Sequence, residues 1–213
     1  LMGLSYDLLA QVETDRTAEV IRTFHRMVAR LCEGQALDTA FETRHDVLVP
    51  DYLDMIARKT GALVEAALDL GGLIGGADDA ARKTLRTAGH ELGRAFQIQD
   101  DLLDLTADSD GWGKAIGGDL VVGKKTFLLL RALECAQGDE HRWFSHILTD
   151  GGLPPEEVPE ARARMKRLGV LDDARDAVRR HSDAGLAALG TLPPGPSAEA
   201  LRDLAEQLAR RLR

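Results

Sequence analysis

The run from Gln97 to Asp104 (Gln-Ile-Gln-Asp-Asp-Leu-Leu-Asp) holds the side chains best placed to do chemistry. With Gln97 at zero on a helix turning about 100° per residue, Asp100 falls at roughly −60°, Asp101 at +40° and Asp104 at −20°. Gly93 and His90 fall at roughly −40° and +20° on the same wheel. Three carboxylates and an amide therefore share an arc about 100° wide. The opposite side carries Leu92, Ala95, Phe96, Ile98, Leu102, Leu103 and Leu105, with Gln99 as its one polar member. Like charges on adjacent turns repel one another. A divalent cation would offset that repulsion. An all-oxygen carboxylate set suits Mg2+, which keeps several waters and bridges to substrate phosphates. A solvated acid run near a helix end is the other reading, and the spacing alone leaves both open.

The next segment adds the opposite charge. Between Gly111 and Thr126 lie five glycines and three lysines, Lys114, Lys124 and Lys125. Glycine permits close approach of backbone to a ligand, and lysine is a point cation suited to phosphate oxygens. Lysines beside a Mg2+-binding acid face make a clamp for a diphosphate; a flexible solvated loop is the alternative, Lys125 above all. A calcium loop starting at Asp108 fails, because its twelfth position would be Gly117 rather than Glu. Lys59-Thr60-Gly61 interrupts an otherwise apolar helix from Tyr52 to Ile74. A lysine there either meets an anion or carries its ammonium to solvent along its stem. Gln35 and Asp38 stand three residues apart, a spacing that lets both face one cavity on a helix.

A second run, Asp172-Asp173-Ala174-Arg175-Asp176, repeats the aspartate pattern. Arg175, Arg179 and Arg180 lie within a turn or two of it, and no Gly/Lys loop follows. It reads as a structural helix start, where acids favour the dipole, and Asp78-Asp79 reads the same way.

The elements that must hold these groups are helices. Apolar residues recur at helical spacing throughout, and strand alternation is almost absent. The pattern predicts helices near 1–12, 15–42, 51–74, 79–106, 124–137, 139–149, 155–168, 170–190 and 197–212, broken at Gly- and Pro-rich turns. The 213 residues show no internal repeat and no long linker, so residues 1–213 read as one all-α domain. Twenty-seven Lys and Arg against 35 Asp and Glu give a net charge of −8, which argues against a nucleic-acid backbone as the main partner. Cys32 and Cys135 stand in no metal or disulfide pattern, so a reducing, cytoplasmic setting is expected. No apolar run approaches the roughly 20 residues of a membrane span. Leu1 to Ala10 reads like the middle of an apolar helix, so the chain is expected to be the tail of a longer protein.

Together and in order, these pieces resemble the trans-isoprenyl diphosphate synthases, or polyprenyl synthetases. The matching residues are Gly34-Gln35 with Asp38, Lys59-Thr60-Gly61, the run from Phe96 to Asp104, Gly113-Lys114 with Gly117 and Asp119, and the run from Gly123 to Thr126. The resemblance is strong from about residue 30 to 135. It implies an all-helical bundle around a deep cavity, a homodimer, and Mg2+-dependent condensation of an allylic diphosphate with isopentenyl diphosphate. The product would be short-chain, such as farnesyl or geranylgeranyl diphosphate. By resemblance, Asp100, Asp101 and Asp104 form the second aspartate-rich motif and hold Mg2+ directly or through water. Lys59, Lys114 and Lys124 would grip the allylic diphosphate. Thr60 and Gln97 would face the carbocation, and Gln35 and Asp38 would line the polar wall. The family's other aspartate-rich motif matches nothing between Leu1 and Glu33, so the chain by itself is expected to be inactive. A non-catalytic partner subunit, or a class I terpene cyclase, is the alternative; the Lys-Thr-Gly and Gly-Lys loops fit a cyclase poorly.

Overall fold

The computed structural model describes residues 2–107 and 116–211, and among them every regular element is a helix. In chain order these are α1 (Met2–Ala10), α2 (Thr17–Thr43), α3 (Val49–Ile56), α4 (Ala62–Ile74), α5 (Asp79–Thr106), α6 (Gly118–Val121), α7 (Phe127–Cys135), α8 (Gly138–Thr149), α9 (Val158–Arg167), α10 (Val170–Gly190) and α11 (Pro196–Arg211). The predicted all-α class and most predicted spans hold. The differences fall where local polar groups outweigh periodicity.

The helix expected over 51–74 is three pieces. It starts two residues early, because Pro50 presets the first turn and the Asp51 carboxylate accepts from the Leu48 N–H at 2.9 Å. It then widens into a π-helical turn at Ala57–Gly61 before α4 resumes. The polar island Lys59-Thr60-Gly61 sits in that wide turn. The helix expected from 124 starts at Phe127 instead, since Thr126 is extended. The span expected over 155–168 opens with a 3-10 turn, Pro155–Glu157.

The long α5 is the spine: α4 and α10 both pack along it. Its start is the one its sequence implies, with the Asp78 side chain accepting from the Ala81 N–H at 2.8 Å. Its apolar side packs into the main core, where Ala95, Ile98, Leu102 and Leu105 meet Ile56, Leu129 and Phe144. Phe96, expected on that side, is instead 48% exposed. Buried Arg82 on α5 pairs with Asp69 of α4 at 2.8 Å and with Glu19 of α2, an inter-helix tie that spacing did not reveal. Among the described residues no helix is long and apolar enough to cross a membrane.

Candidate functional site

The site forms where α2, the π-helical turn, α5 and the segment before α7 meet. Close backbone approach makes the meeting possible. A Cβ on Gly34 would lie 2.7 Å from Lys59 Cα and closer still to the Lys59 amide nitrogen. A Cβ on Gly93 would lie 2.6 Å from Gly61 Cα. Only glycine at these points lets α2 and α5 press against the wide turn. That pressing brings Asp38, one turn beyond Gly34, to Lys59, with Asp38 Oδ2 and Lys59 Nζ 2.6 Å apart. Lys59 has thus found an anion, and neither partner is more than a third exposed.

A chain of hydrogen bonds runs from the same turn onto α5. Thr60 Oγ1 donates to Gln97 Oε1 at 2.8 Å, and Gln97 Nε2 donates to Asp101 Oδ1 at 3.1 Å. On its other oxygen Asp101 accepts from Tyr52 OH at 2.5 Å and, more distantly, from the Phe127 N–H at 3.4 Å. Burial pushes the Asp101 carboxyl up to about 6, although the Tyr52 and Gln97 hydrogen bonds pull the other way. Burial and the Asp101 charge push the Tyr52 hydroxyl well above its usual value, so it remains a donor.

The three acids of the motif therefore sit in three environments. Asp101 is buried; Asp100 is exposed and makes no hydrogen bond or ion pair among the described residues. Asp104 is half-buried and accepts from the Asp119 N–H at 3.1 Å, while its own carbonyl accepts from the Gly117 N–H at 2.7 Å. Burial raises the Asp104 carboxyl, the Asp119 amide opposes that, and the Asp119 and Asp100 charges raise it further. Gly117 takes φ 73°, a left-handed backbone that starts α6 and aims the Asp119 amide at α5. No three acids, histidines or cysteines among the described residues converge closely enough to form a metal cage by themselves. The arrangement fits a cation that keeps most of its waters and takes a few carboxylates, which is the habit of Mg2+. Such a cation would offset the mutual repulsion of Asp100, Asp104 and Asp119, which adds to burial in lifting Asp104.

Lys124 reaches Asp119 at 3.2 Å. Burial, the largest influence on this lysine, favours its neutral form; Asp119 and Asp101 outweigh it and hold the proton above the usual lysine range. A cavity of about 400 Å³ opens beside it, lined by Asp38, Phe41, Glu42, Lys124 and Lys125. Lys125 is not the solvated loop residue expected: it is buried, with Nζ 3.4 Å from the Glu42 carbonyl near the end of α2, and burial lowers its pKa.

Lys59, Thr60, Gln97, Asp100, Asp101, Asp104, Asp38 and Lys124 are thus brought together. Gln35 is exposed and hydrogen-bonds Thr39 at 3.5 Å, so no contact joins it to this group. Lys114 lies outside the described residues. The second aspartate run behaves as its setting implied. Asp172 pairs with Arg175 at 2.7 Å, Asp173 with Arg131 at 2.7 Å and Asp176 with Arg179 at 2.9 Å, and the run lies in the opening turns of α10. Sequence reasoning missed Tyr52, whose one signal was a tyrosine two turns ahead of Lys59 in an apolar stretch.

An all-helical bundle that sets an aspartate-rich helix against lysines from two other segments defines an isoprenoid-synthase type of architecture. The model of the family described as polyprenyl synthetase matches residues 1–165, and the chain belongs to that family. A geranylfarnesyl diphosphate synthase of Natronomonas pharaonis is 37% identical over 210 residues, covering 98% of this chain and 60% of that protein. A geranylgeranyl diphosphate synthase of Sulfolobus acidocaldarius is 35% identical over 220 residues, covering 99% of this chain and 66% of that one. The crystal structure of a geranylgeranyl pyrophosphate synthetase from Pyrococcus horikoshii superposes with a TM-score of 0.85 at 34% identity, over 96% of this chain and 62% of that chain. The chain spans less than two thirds of the length of each of these relatives.

Proposed function

We propose that the protein is a Mg2+-dependent prenyltransferase that joins an allylic diphosphate to isopentenyl diphosphate, releases diphosphate and makes a short-chain product such as geranylgeranyl diphosphate. The observation that supports this is the meeting of two lysines, Lys59 and Lys124, with the acid face of α5 across a hydrogen-bonded chain, Thr60–Gln97–Asp101. The relatives' names point the same way. The reading also takes the enzyme to be a cytoplasmic homodimer.

The hard step is heterolysis of the allylic C–O bond. Magnesium held by Asp100 and Asp104, with Asp101 behind them, would supply charge neutralisation for the departing diphosphate. Lys59 and Lys124 add fixed positive charge on the same side, and Lys114 is assigned to the same clamp. Such preorganised charge is worth most where water is excluded. Thr60 and Gln97 present a hydroxyl oxygen and an amide dipole beside the developing allylic cation. Asp38 holds the Lys59 ammonium in place between turnovers. Gln35 is kept in this reading only as part of the polar wall near Asp38.

Calorimetric titration of an allylic diphosphate with Mg2+ present tests the clamp. Lys59→Glu and Lys114→Glu should each weaken binding steeply; Lys59→Glu also sets a second carboxylate against Asp38 and should lower the melting temperature somewhat. Unchanged affinity in both variants refutes the clamp. Failure of the protein to bind any allylic diphosphate refutes the whole reading.

A further inference from the structure

Tyr52 is a buried hydroxyl bonded to the Asp101 carboxylate, on which α3, α5 and the start of α7 converge, and no step above uses it. It is 2% exposed, on α3. Its OH donates to Asp101 Oδ2 at 2.5 Å, the shortest of the three hydrogen bonds Asp101 accepts. Its ring packs edge-on against Phe127, with centroids 6.3 Å apart and planes at 64°. Phe127 opens α7 directly after the Lys124-bearing segment, and its N–H also points at Asp101. Thr60 lies on the same run of helix as Tyr52, eight residues on, and reaches Asp101 from the other side through Gln97. The Asp101 carboxylate is therefore held on Oδ2 by Tyr52 and on Oδ1 by Gln97 of α5, which Thr60 holds in turn. Tyr52 and Thr60 both stand on the run that also carries Lys59.

This arrangement does more than satisfy a buried carboxylate. Asp101 lies between Asp100 and Asp104 on α5, so fixing its side chain fixes how α5 is rotated and how deep it sits against α3. That rotation sets where Asp100 and Asp104 point. The Phe127 N–H on the same carboxylate ties that point to the segment carrying Lys124, so the Asp101 side chain links the acid face to a lysine opposite it. A fixed spacing suits a cation that must contact both carboxylates and a diphosphate within tight octahedral geometry. We propose that Tyr52 is a positioning residue: through its hydroxyl on Asp101 it aligns the aspartate-rich face of α5 for a magnesium–diphosphate complex. This rests on the functional reading above and assigns Tyr52 no contact with substrate.

The test is Tyr52→Phe, which keeps the ring against Phe127 and removes only the hydroxyl. Calorimetry with inorganic diphosphate at a series of Mg2+ concentrations gives a binding readout independent of turnover. The Mg2+ concentration needed for half-maximal diphosphate binding should rise about tenfold, the loss expected when a hydrogen bond to a charged group is removed. Affinity at saturating Mg2+ should change far less. Phe127→Leu is the packing control: it disturbs the ring contact, keeps the hydroxyl bond and should leave the Mg2+ requirement near that of the unaltered protein. A Tyr52→Phe protein that folds with an unchanged Mg2+ requirement overturns the inference. So does an equal loss in both variants, which would mark the role as packing alone. If Tyr52→Phe does not fold, Asp101→Asn carries the test, and an unchanged Mg2+ requirement there overturns it equally. If the unaltered protein shows no Mg2+-dependent diphosphate binding, the functional reading itself has failed.

Discussion

Gly34→Ala and Gly71→Ala make the same chemical change in two α-helices and should move stability in opposite directions. At Gly34 the new Cβ meets backbone: it would sit 2.7 Å from Lys59 Cα, about 1 Å inside ordinary van der Waals contact. Backbone yields less than the tip of a side chain. The upper part of the overpacking range, about 3 kcal/mol, therefore applies, less about 1 kcal/mol gained from alanine's better helix propensity. A net loss of about 2 kcal/mol lowers the melting temperature of a chain this size by roughly 4–8 °C. At Gly71, in α4, a Cβ meets nothing within 4 Å, so only the propensity gain of about 0.5–1 kcal/mol remains. Melting curves by circular dichroism measure both. A second readout links the clash to the site: pushing α2 from the π-helical turn lengthens the Asp38–Lys59 contact, so Mg2+-dependent diphosphate binding should weaken in Gly34→Ala and not in Gly71→Ala. A Gly34→Ala protein that melts at or above the unaltered one would refute the account of how α2 reaches the wide turn.

The two aspartate runs give a second matched pair: Asp100→Ala should cut turnover at saturating Mg2+ by several orders of magnitude, at about 1.4 kcal/mol per tenfold, with the fold intact. Asp172→Ala should leave turnover nearly unchanged and cost about 1 kcal/mol at most, since its partner Arg175 is itself exposed; equal turnover in the two variants places the metal on the wrong helix. Asp78→Ala should cost about 1 kcal/mol by removing the cap on the Ala81 N–H, and an unchanged melting temperature would show that cap to be idle. Without metal, the contribution of Asp101 to stability should fall as pH rises from about 4 to 6. Burial lifts Asp101 from 3.8 to about 6, so the folded state binds this proton more tightly, and its contribution is complete below the unfolded value and lost through the folded one. The slope is about 1.4 kcal/mol per pH unit, and urea unfolding of Asp101→Asn should lack it; an unaltered slope in that variant assigns the effect elsewhere.

Periodicity and turn chemistry made most of the fold legible. The apolar side of α5 apart from Phe96, the Asp78 cap and the breaks at Gly/Pro turns are local facts, each decided within a few residues, and they hold in the structure. The assignment of the second aspartate run to a helix start was local too: Asp172 and Asp176 pair with Arg175 and Arg179 on the same helix, whereas Asp173 takes Arg131, 42 residues away. The metal-type reading proposed for the run from Gln97 to Asp104 rests on residue type and spacing. What spacing could not supply was the environment of each acid. A helical wheel puts Asp100, Asp101 and Asp104 on one face as equals. Tertiary packing buries the middle one against Tyr52 and Phe127, leaves the first open and ties the last to the Asp119 amide. Tyr52 and Asp101 are 49 residues apart, so no local pattern couples them. The same holds for Asp38 and Lys59, whose contact depends on a glycine in each approaching backbone and on a π-helical turn that local propensity does not encode. Lys125 turned inward because the end of α2 lies against its loop and offers a carbonyl to its ammonium. Residue type therefore set which chemistry is proposed for this chain. Long-range approach of backbones, set by where glycine allows contact, decided which of those residues face each other.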